Sequence, residues 1–202
     1  NQNYTFDAVL YATGRKANTA NIGLEHTDIV TNERGAIVVN DTCESSAPGV
    51  YAVGDVNGGP QFTYVSLDDF RIVFGALTGN SQYTLKDRKN IPYTTFLTPP
   101  LSRVGLTEED AINQGYTVKT KEMLVATMPR AHVNDYLKGA FKIVVDADND
   151  LILGATLYSQ GAEELINLIK MAMDNNIPYT YFKNQIFTHP TMAENLNDLC
   201  NF

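Results

Sequence analysis

Residues 139–175 carry the pattern that most constrains the fold of this chain. Two apolar runs, residues 139–145 and 151–158, flank a five-residue segment that holds three aspartates. This arrangement predicts two antiparallel strands joined by a short loop. Residues 161–175 then place their apolar side chains at helical spacing, which predicts an amphipathic helix. Together these elements favour an α+β domain in which helices pack against an antiparallel sheet.

The remainder of residues 89–202 extends this domain. Residues 93–97 and 116–125 are further strand candidates. Between them Thr107 supplies a hydroxyl N-cap and is followed by three acidic residues, which favour the positive end of a helix. Gly115 is a natural end for that helix. The predicted order is therefore β-α-β-β-β-α-α, with four strands in the sheet.

Residues 1–88 have a different organisation. Residues 6–12, 35–40 and 49–55 are short apolar runs that predict strands, the first of them buried. A helix is predicted over residues 63–77. The polar segment 79–90 resembles a linker, so we place a domain boundary near residue 88.

Composition excludes several classes of function. The formal net charge of −8, from 15 basic and 23 acidic residues, disfavours a nucleic-acid surface. The isolated cysteines, Cys43 and Cys200, form neither a disulfide framework nor a zinc site, so no metal is predicted. The three aspartates of the 146–150 loop begin like a calcium loop, but Leu151 occupies the position that requires glycine. No membrane span or signal peptide is visible, and we expect a cytoplasmic protein.

A first candidate binding site follows the predicted strand that ends at Val53-Gly54-Asp55. A carboxylate at the carboxyl end of a strand can accept hydrogen bonds from the hydroxyl groups of a nucleotide ligand. Thr63 would open a helix whose free N–H groups favour negative charge. The alternative is a simple turn after a buried strand, and the residues alone leave both interpretations open.

A second candidate site is the stretch His189-Pro190-Thr191-Met192-Ala193-Glu194. Thr191 and Glu194 have the spacing of a capping box, in which Glu194 serves only to begin a helix. Alternatively, Glu194 could reach the His189 ring and hold one tautomer, which would make an oriented general acid/base. Spacing alone does not decide between the two.

Five short motifs follow one another in the second part of the chain. They are Phe96-Leu97-Thr98-Pro99-Pro100, Val104-Gly105-Leu106-Thr107-Glu108, Lys142-Ile143-Val144-Val145-Asp146, Ile152-Leu153-Gly154-Ala155 and His189-Pro190-Thr191. In this order they resemble the dimerisation domain of the pyridine nucleotide-disulfide oxidoreductases, the class of glutathione reductase and lipoamide dehydrogenase. The first part of the chain, with Ala12-Thr13-Gly14-Arg15 and Val50-Tyr51-Ala52-Val53-Gly54-Asp55, resembles that family's second FAD-binding segment.

Residues 61–69, 185–190 and 196–199 narrow the resemblance to the reactive-chlorine-resistance flavoproteins. That subgroup is associated with defence against hypohalous oxidants. The resemblance implies an enzyme in which NAD(P)H, FAD and a redox disulfide act in series on a disulfide or small-molecule substrate. It also implies a homodimer, because His189 and Glu194 resemble an acid/base dyad that serves the partner subunit's thiols.

The resemblance also assigns cofactor contacts. The residues that match them are Gly14, Gly54, Asp55, Gln61, Phe62 and Thr63. Asp55 resembles the acid that binds the FAD ribityl chain, and Gly14 resembles a residue near the adenosine-diphosphate moiety. Gln61, Phe62 and Thr63 resemble the segment that meets the flavin pyrimidine edge.

The chain departs from the family pattern in three features. The Gly-x-Gly-x-x-Gly turn for FAD, the redox cysteine pair and the second such turn for NAD(P)H are all missing from the sequence. The resemblance therefore implies the C-terminal part of an enzyme, with residues 1–88 as an incomplete α/β FAD-binding segment and residues 89–202 as the dimerisation domain. The isolated chain is expected to be inactive and to bind no cofactor. The alternative is a non-catalytic dimerisation module.

Overall fold

The computed structural model describes residues 2–202. The chain divides into two compact units, Asn1–Arg88 and Lys89–Phe202. The division falls within the polar segment 79–90.

The second unit is built on a five-stranded antiparallel sheet in the order β1-β2-β5-β4-β3. Its strands are β1 Tyr93–Thr95, β2 Leu101–Gly105, β3 Val118–Leu124, β4 Ala140–Asp146 and β5 Ile152–Tyr158. The predicted α+β class with an antiparallel sheet is confirmed.

Strand β2 lies between β1 and β5, and the sequence analysis did not predict it. Its two buried positions are Ser102 and Val104, so only one of them shows the apolar residue that signals a strand. The Ser102 hydroxyl is satisfied by the Thr94 hydroxyl on β1, 2.8 Å away. A polar residue that is paired across the sheet is therefore compatible with complete burial.

The hairpin predicted around residue 148 joins β4 to β5. Asp146 builds the loop: its carboxylate accepts hydrogen bonds from the Asn149 side-chain amide at 2.8 Å and the Asp148 backbone N–H at 2.9 Å. These bonds, that of Asn149 first, lower the pKa of Asp146. The aspartates thus have a structural role, and within residues 2–202 no cluster of three or more His, Cys, Asp or Glu residues could hold a metal ion.

In the second unit, helices cover the sheet and complete the core. Numbered along the whole chain, the helices of the two units are α1 Thr63–Thr78 in the first and, in the second, α2 Glu108–Asn113, α3 Pro129–Val133, α4 Ala162–Asp174, α5 Tyr179–Asn184 and α6 Leu196–Leu199. The predicted N-cap is confirmed, since the Thr107 hydroxyl accepts from the Asp110 N–H at 3.0 Å. Leu196 and Leu199 of α6 are almost completely buried in the core beneath the sheet.

The first unit contains helix α1, as predicted, but its strand candidates take another form. Residues 35–40 and 49–53 form no strand and take part in isolated β-bridges, such as Thr31 with Ile37 and Glu44 with Tyr51, while residues 54 and 55 begin a 3-10 helix. The prediction of a buried strand over residues 6–12 is wrong: these residues form no strand, and Leu10 is 89% exposed. An apolar run becomes a strand only when a neighbouring chain pairs with its backbone, and no described residue does so here.

Among the described residues, no helix is long and apolar enough to cross a bilayer.

Candidate functional site

The candidate residues fall into two sets, one in each unit. In the second unit, His189 lies between helices α5 and α6. Residues 185–188 lead from the end of α5 to His189, and a short 3-10 helix, Ala193–Asn195, connects directly to α6. Because α6 is anchored in the core, Glu194 is held on a fixed element.

His189 and Glu194 form a hydrogen-bonded pair. The distance from His189 Nδ1 to Glu194 Oε2 is 2.8 Å. An ionised carboxylate can only accept, so the ring donates from Nδ1, and in the neutral ring this leaves Nε2 as the acceptor. The His189 side chain is 70% exposed whereas that of Glu194 is 16% exposed. The pair therefore presents an oriented imidazole outward from a sheltered carboxylate.

The capping-box interpretation of the same stretch explains the hydrogen bonds of the Thr191 hydroxyl but not that of the Glu194 carboxylate. The Thr191 hydroxyl accepts from the Glu194 N–H at 3.2 Å and donates to the Thr188 carbonyl at 2.8 Å. The Glu194 carboxylate does not complete the box, because Oε2 bonds His189 and Oε1 is buried without a hydrogen-bond partner among the described residues. The cap holds the backbone while the carboxylate orients the histidine.

In the first unit, a hollow of about 600 Å³ brings together some of the predicted cofactor residues. Asp55 and Gln61 both line it, beside three cationic side chains and Gly58. The cations are Arg15, Lys16 and Arg34. Asp55 is about half exposed and lies 3.8 Å from Arg15. The hollow thus offers the Asp55 carboxylate for hydroxyl groups and three cations for negative charge, with Glu33 as a second acid in its lining.

The other predicted cofactor residues do not line this hollow; they lie next to or near its lining residues in the sequence. Gly14 directly precedes Arg15, and Gln61 is followed by Phe62 and Thr63 at the start of α1. Gly54 begins the 3-10 helix Gly54–Asn57, which carries Asp55. Its φ of 74° and the 2.8 Å between an added Cβ and Ser66 Oγ leave room only for glycine.

A buried carboxylate that the sequence did not predict as a site residue holds the two ends of the segment that carries Asp55. Asp69, on α1, is 1% exposed, and its Oδ2 accepts from the Gly54 N–H at 2.7 Å and from the Asn57 side-chain amide at 2.9 Å. Its Oδ1 pairs with Arg88, whose Nε lies 2.7 Å from Asp68. Burial alone would lower the pKa of Arg88, but its hydrogen bonds to Asp69 and Asp68 raise it. The sequence signal that could have identified Asp69 is an acidic residue among the apolar positions of a helix.

Comparisons with known proteins identify the family. The model described as "Pyridine nucleotide-disulphide oxidoreductase, dimerisation domain" matches residues 91–200, and "Pyridine nucleotide-disulphide oxidoreductase" matches residues 1–69. The chain belongs to the pyridine nucleotide-disulphide oxidoreductases. The predicted resemblance is confirmed. Members of this family are flavoproteins that depend on FAD and NAD(P)H, and the dimerisation domain supports formation of oligomers.

Individual relatives agree with this family assignment. The chain is 48% identical to the probable pyridine nucleotide-disulfide oxidoreductase RclA of Escherichia coli, over 96% of this chain and 44% of that protein. It is 35% identical to a mercuric reductase of Staphylococcus aureus, over 94% of this chain and 35% of that protein. The solved structure of the HOCl-induced flavoprotein disulfide reductase RclA from E. coli matches with a TM-score of 0.91 at 47% identity, covering 94% of this chain and 43% of that one. The chain thus spans less than half the length of these oxidoreductases.

Proposed function

We propose that the chain is the C-terminal part of a FAD-dependent NAD(P)H:disulfide or oxidant oxidoreductase. In this proposal residues 1–88 are the second FAD-binding segment and residues 89–202 form the dimer interface. The observation that carries it is the 2.8 Å bond between a sheltered Glu194 and an exposed His189. A histidine held in one tautomer, with Nε2 directed outward, is suited to exchange protons with a thiol of another chain.

The chemistry of the pair follows from its geometry. His189 Nε2 takes the proton of an attacking thiol, or returns a proton to the thiolate that leaves when a disulfide opens. The imidazolium formed in this way stabilises a nearby thiolate. Glu194 holds Nδ1–H in place and so fixes the orientation of the ring. A homodimer would supply each histidine to its partner's thiol pair.

The chain's own cysteines are unsuited to this redox role. Cys43 and Cys200 are free and completely buried. Burial is the largest cause that raises the pKa of Cys43 to about 11 and that of Cys200 to about 12. Thiols that stay protonated at neutral pH are poor nucleophiles. The reactive pair must therefore come from elsewhere in the enzyme.

The hollow in the first unit fits part of a flavin nucleotide. Asp55 would accept hydrogen bonds from ribityl hydroxyls, and Arg15, Lys16 and Arg34 would face the negative phosphates. The close approach of backbone at Gly58, where an added Cβ would lie 2.9 Å from the Ala36 Cβ, also suits a tightly lined site. When bound, FAD supplies two-electron transfer from NAD(P)H to a disulfide. Because the sequence lacks the glycine-rich diphosphate turn, we expect the isolated chain to hold no FAD and to be inactive.

The proposal also includes a substrate class, a role in the cell and a cellular location. A disulfide or small oxidant is favoured, and a role in defence against hypohalous oxidants is supported by the HOCl-induced relative of known structure. A cytoplasmic location is supported by the two free cysteines. The second candidate is a dimerisation module without chemistry of its own, which the lack of an accessible cysteine pair favours for the isolated chain.

A chimera tests the proposal. The matching 43% of the E. coli RclA structure would be replaced by this chain, which is 47% identical to it. We expect the chimera to bind FAD stoichiometrically and to couple NAD(P)H oxidation to disulfide reduction. The matched variant Asp55→Ala should lose flavin, as measured by absorbance after gel filtration. A folded, dimeric chimera that holds FAD but reduces no disulfide would favour the module.

A further inference from the structure

We propose that Asn197 is a positioning residue for the His189–Glu194 pair. Its side-chain amide ties helix α6, which follows Glu194, to the segment that leads into His189. This inference rests on the proposed acid/base function of the pair and extends it to a residue whose side-chain hydrogen bonds go to backbone carbonyls and not to the pair.

The contacts of Asn197 join two segments of the fold. Its Nδ2 is directed at three backbone carbonyl oxygens: that of Phe182 at 2.5 Å, that of Gln185 at 3.0 Å and that of Lys183 at 3.3 Å. Phe182 and Lys183 lie in the last turn of α5, where carbonyls have no partner within the helix. Gln185 is the first residue after α5 and begins the approach to His189. One amide thus closes the end of α5 and fixes the start of the lead-in.

The lead-in, residues 185–188, has few other attachments. It lies in neither a helix nor a strand, and Ile186 is 95% exposed. Besides Asn197, its anchors are the Gln185 N–H, which donates to the Phe182 carbonyl at 3.4 Å, the partly buried Phe187, which packs on the core, and the bond from the Thr191 hydroxyl to the Thr188 carbonyl. Among the described residues, the side chain of Asn197 therefore makes the hydrogen bond that joins this lead-in to α6.

The other end of this link is rigid. Helix α6 buries Leu196 and Leu199 in the core, and Lys121 of β3 donates to the Asp198 carbonyl at 2.7 Å. Glu194 stands two residues before this helix, in the 3-10 helix Ala193–Asn195. The 2.8 Å bond between His189 and Glu194 requires the lead-in and α6 to keep a fixed spacing. Asn197 sets that spacing, so its loss should loosen the bond without removing either partner.

Nitrogen-15 NMR of the histidine rings measures this bond directly. The chain has three histidines, and a His189→Gln variant identifies the signal of His189. At alkaline pH, where imidazole is neutral, ring nitrogen shifts report the ratio of the Nδ1–H to the Nε2–H tautomer. In the parent chain Glu194 should favour Nδ1–H. We expect Asn197→Ala to lower this ratio roughly tenfold, which corresponds to about 1.4 kcal/mol, towards the value given by Glu194→Ala.

Matched variants separate positioning from general stability. Asn184→Ala removes an amide-to-carbonyl bond of 3.0 Å to Thr180 within α5 but does not touch α6, so the tautomer ratio should stay at the parent value even if the melting temperature falls. Asn197→Ser keeps one donor and should give an intermediate ratio, which also serves if Asn197→Ala fails to fold. A parent ratio in both Asn197 variants, with a lowered ratio in Glu194→Ala, would overturn the positioning role and leave the pair intact. No change in Glu194→Ala would refute the pair itself.

Discussion

The buried carboxylate of Asp69 should determine the stability of the first unit. Asp69→Asn keeps the shape of the side chain but places an NH₂ group where one of two acceptors stood. One oxygen faces Arg88, and the other faces the Gly54 N–H at 2.7 Å and the Asn57 amide at 2.9 Å. Either orientation of the new amide therefore sets a donor against a donor.

The magnitude follows from burial and from what remains bonded. Removing one partner of a buried ion pair costs about 3–5 kcal/mol. Because Arg88 keeps its bond to Asp68 at 2.7 Å, we expect the lower end, about 3 kcal/mol of the free energy of unfolding. Native-state hydrogen exchange at the amides of α1 measures this loss, since they report opening of the unit.

Asp68→Asn is the matched control for this experiment. The Asp68 side chain is 19% exposed, more than that of Asp69 at 1%, and asparagine can still accept from Arg88 Nε. Its cost should be about 1 kcal/mol, near that of an exposed pair. Equal losses in the two variants would show that Asp69 is no more than a generic acidic neighbour of Arg88, and would refute the argument that it supports the Asp55 segment.

The remaining predictions concern packing, thiols and assembly. Gly105→Ala should lower the stability of the second unit far more than Gly115→Ala. An added Cβ would lie 2.2 Å from the Leu153 carbonyl oxygen in the first case and meets nothing within 4 Å in the second. Urea unfolding curves compare the two variants, and equal midpoints would contradict the packing argument. Cys43 and Cys200 should resist alkylation at neutral pH until the chain is unfolded, as read by mass spectrometry. Since their folded pKa values are raised from 9.0 to about 11 and about 12, their contribution to stability is complete below pH 9 and is lost as pH rises towards those values. Sedimentation should show a colourless homodimer at micromolar concentration; a monomer, or a yellow preparation, would be incompatible with the proposed assembly or with the partial flavin site.

Local patterns predicted much of the second unit. The hairpin around Asp146 and the amphipathic helix α4 depend on periodicity and loop residues that lie close together in sequence. Strand β2 escaped prediction because Ser102 occupies one of its two buried positions, and its partner Thr94 is known only once the strands are paired. In the first unit, the apolar run 6–12 signalled burial but could not show which chain segment would cover it.

The residues of the candidate site could likewise be predicted only in part. The five-residue spacing from His189 to Glu194 made their contact one of two predictions for this stretch, beside a capping box formed by Thr191 and Glu194. Asn197 and Asp69 could not be found from spacing, since their contacts reach 12 to 19 residues along the chain. Such contacts are set by how helices pack, which a single sequence does not display. The role of each residue in catalysis stays a prediction.

The half-reactions of the flavin-loaded chimera, with and without His189→Ala, test the central claim most directly. Oxidation of NAD(P)H requires no proton from His189, so stopped-flow absorbance should show this step at the parent rate. Reduction of a disulfide substrate should slow by roughly 10²- to 10⁴-fold, the usual contribution of a positioned acid/base, and Glu194→Gln should slow it less. If His189→Ala carries out both half-reactions at the parent rates, His189 has no acid/base role and the Thr191–Glu194 cap alone explains this stretch.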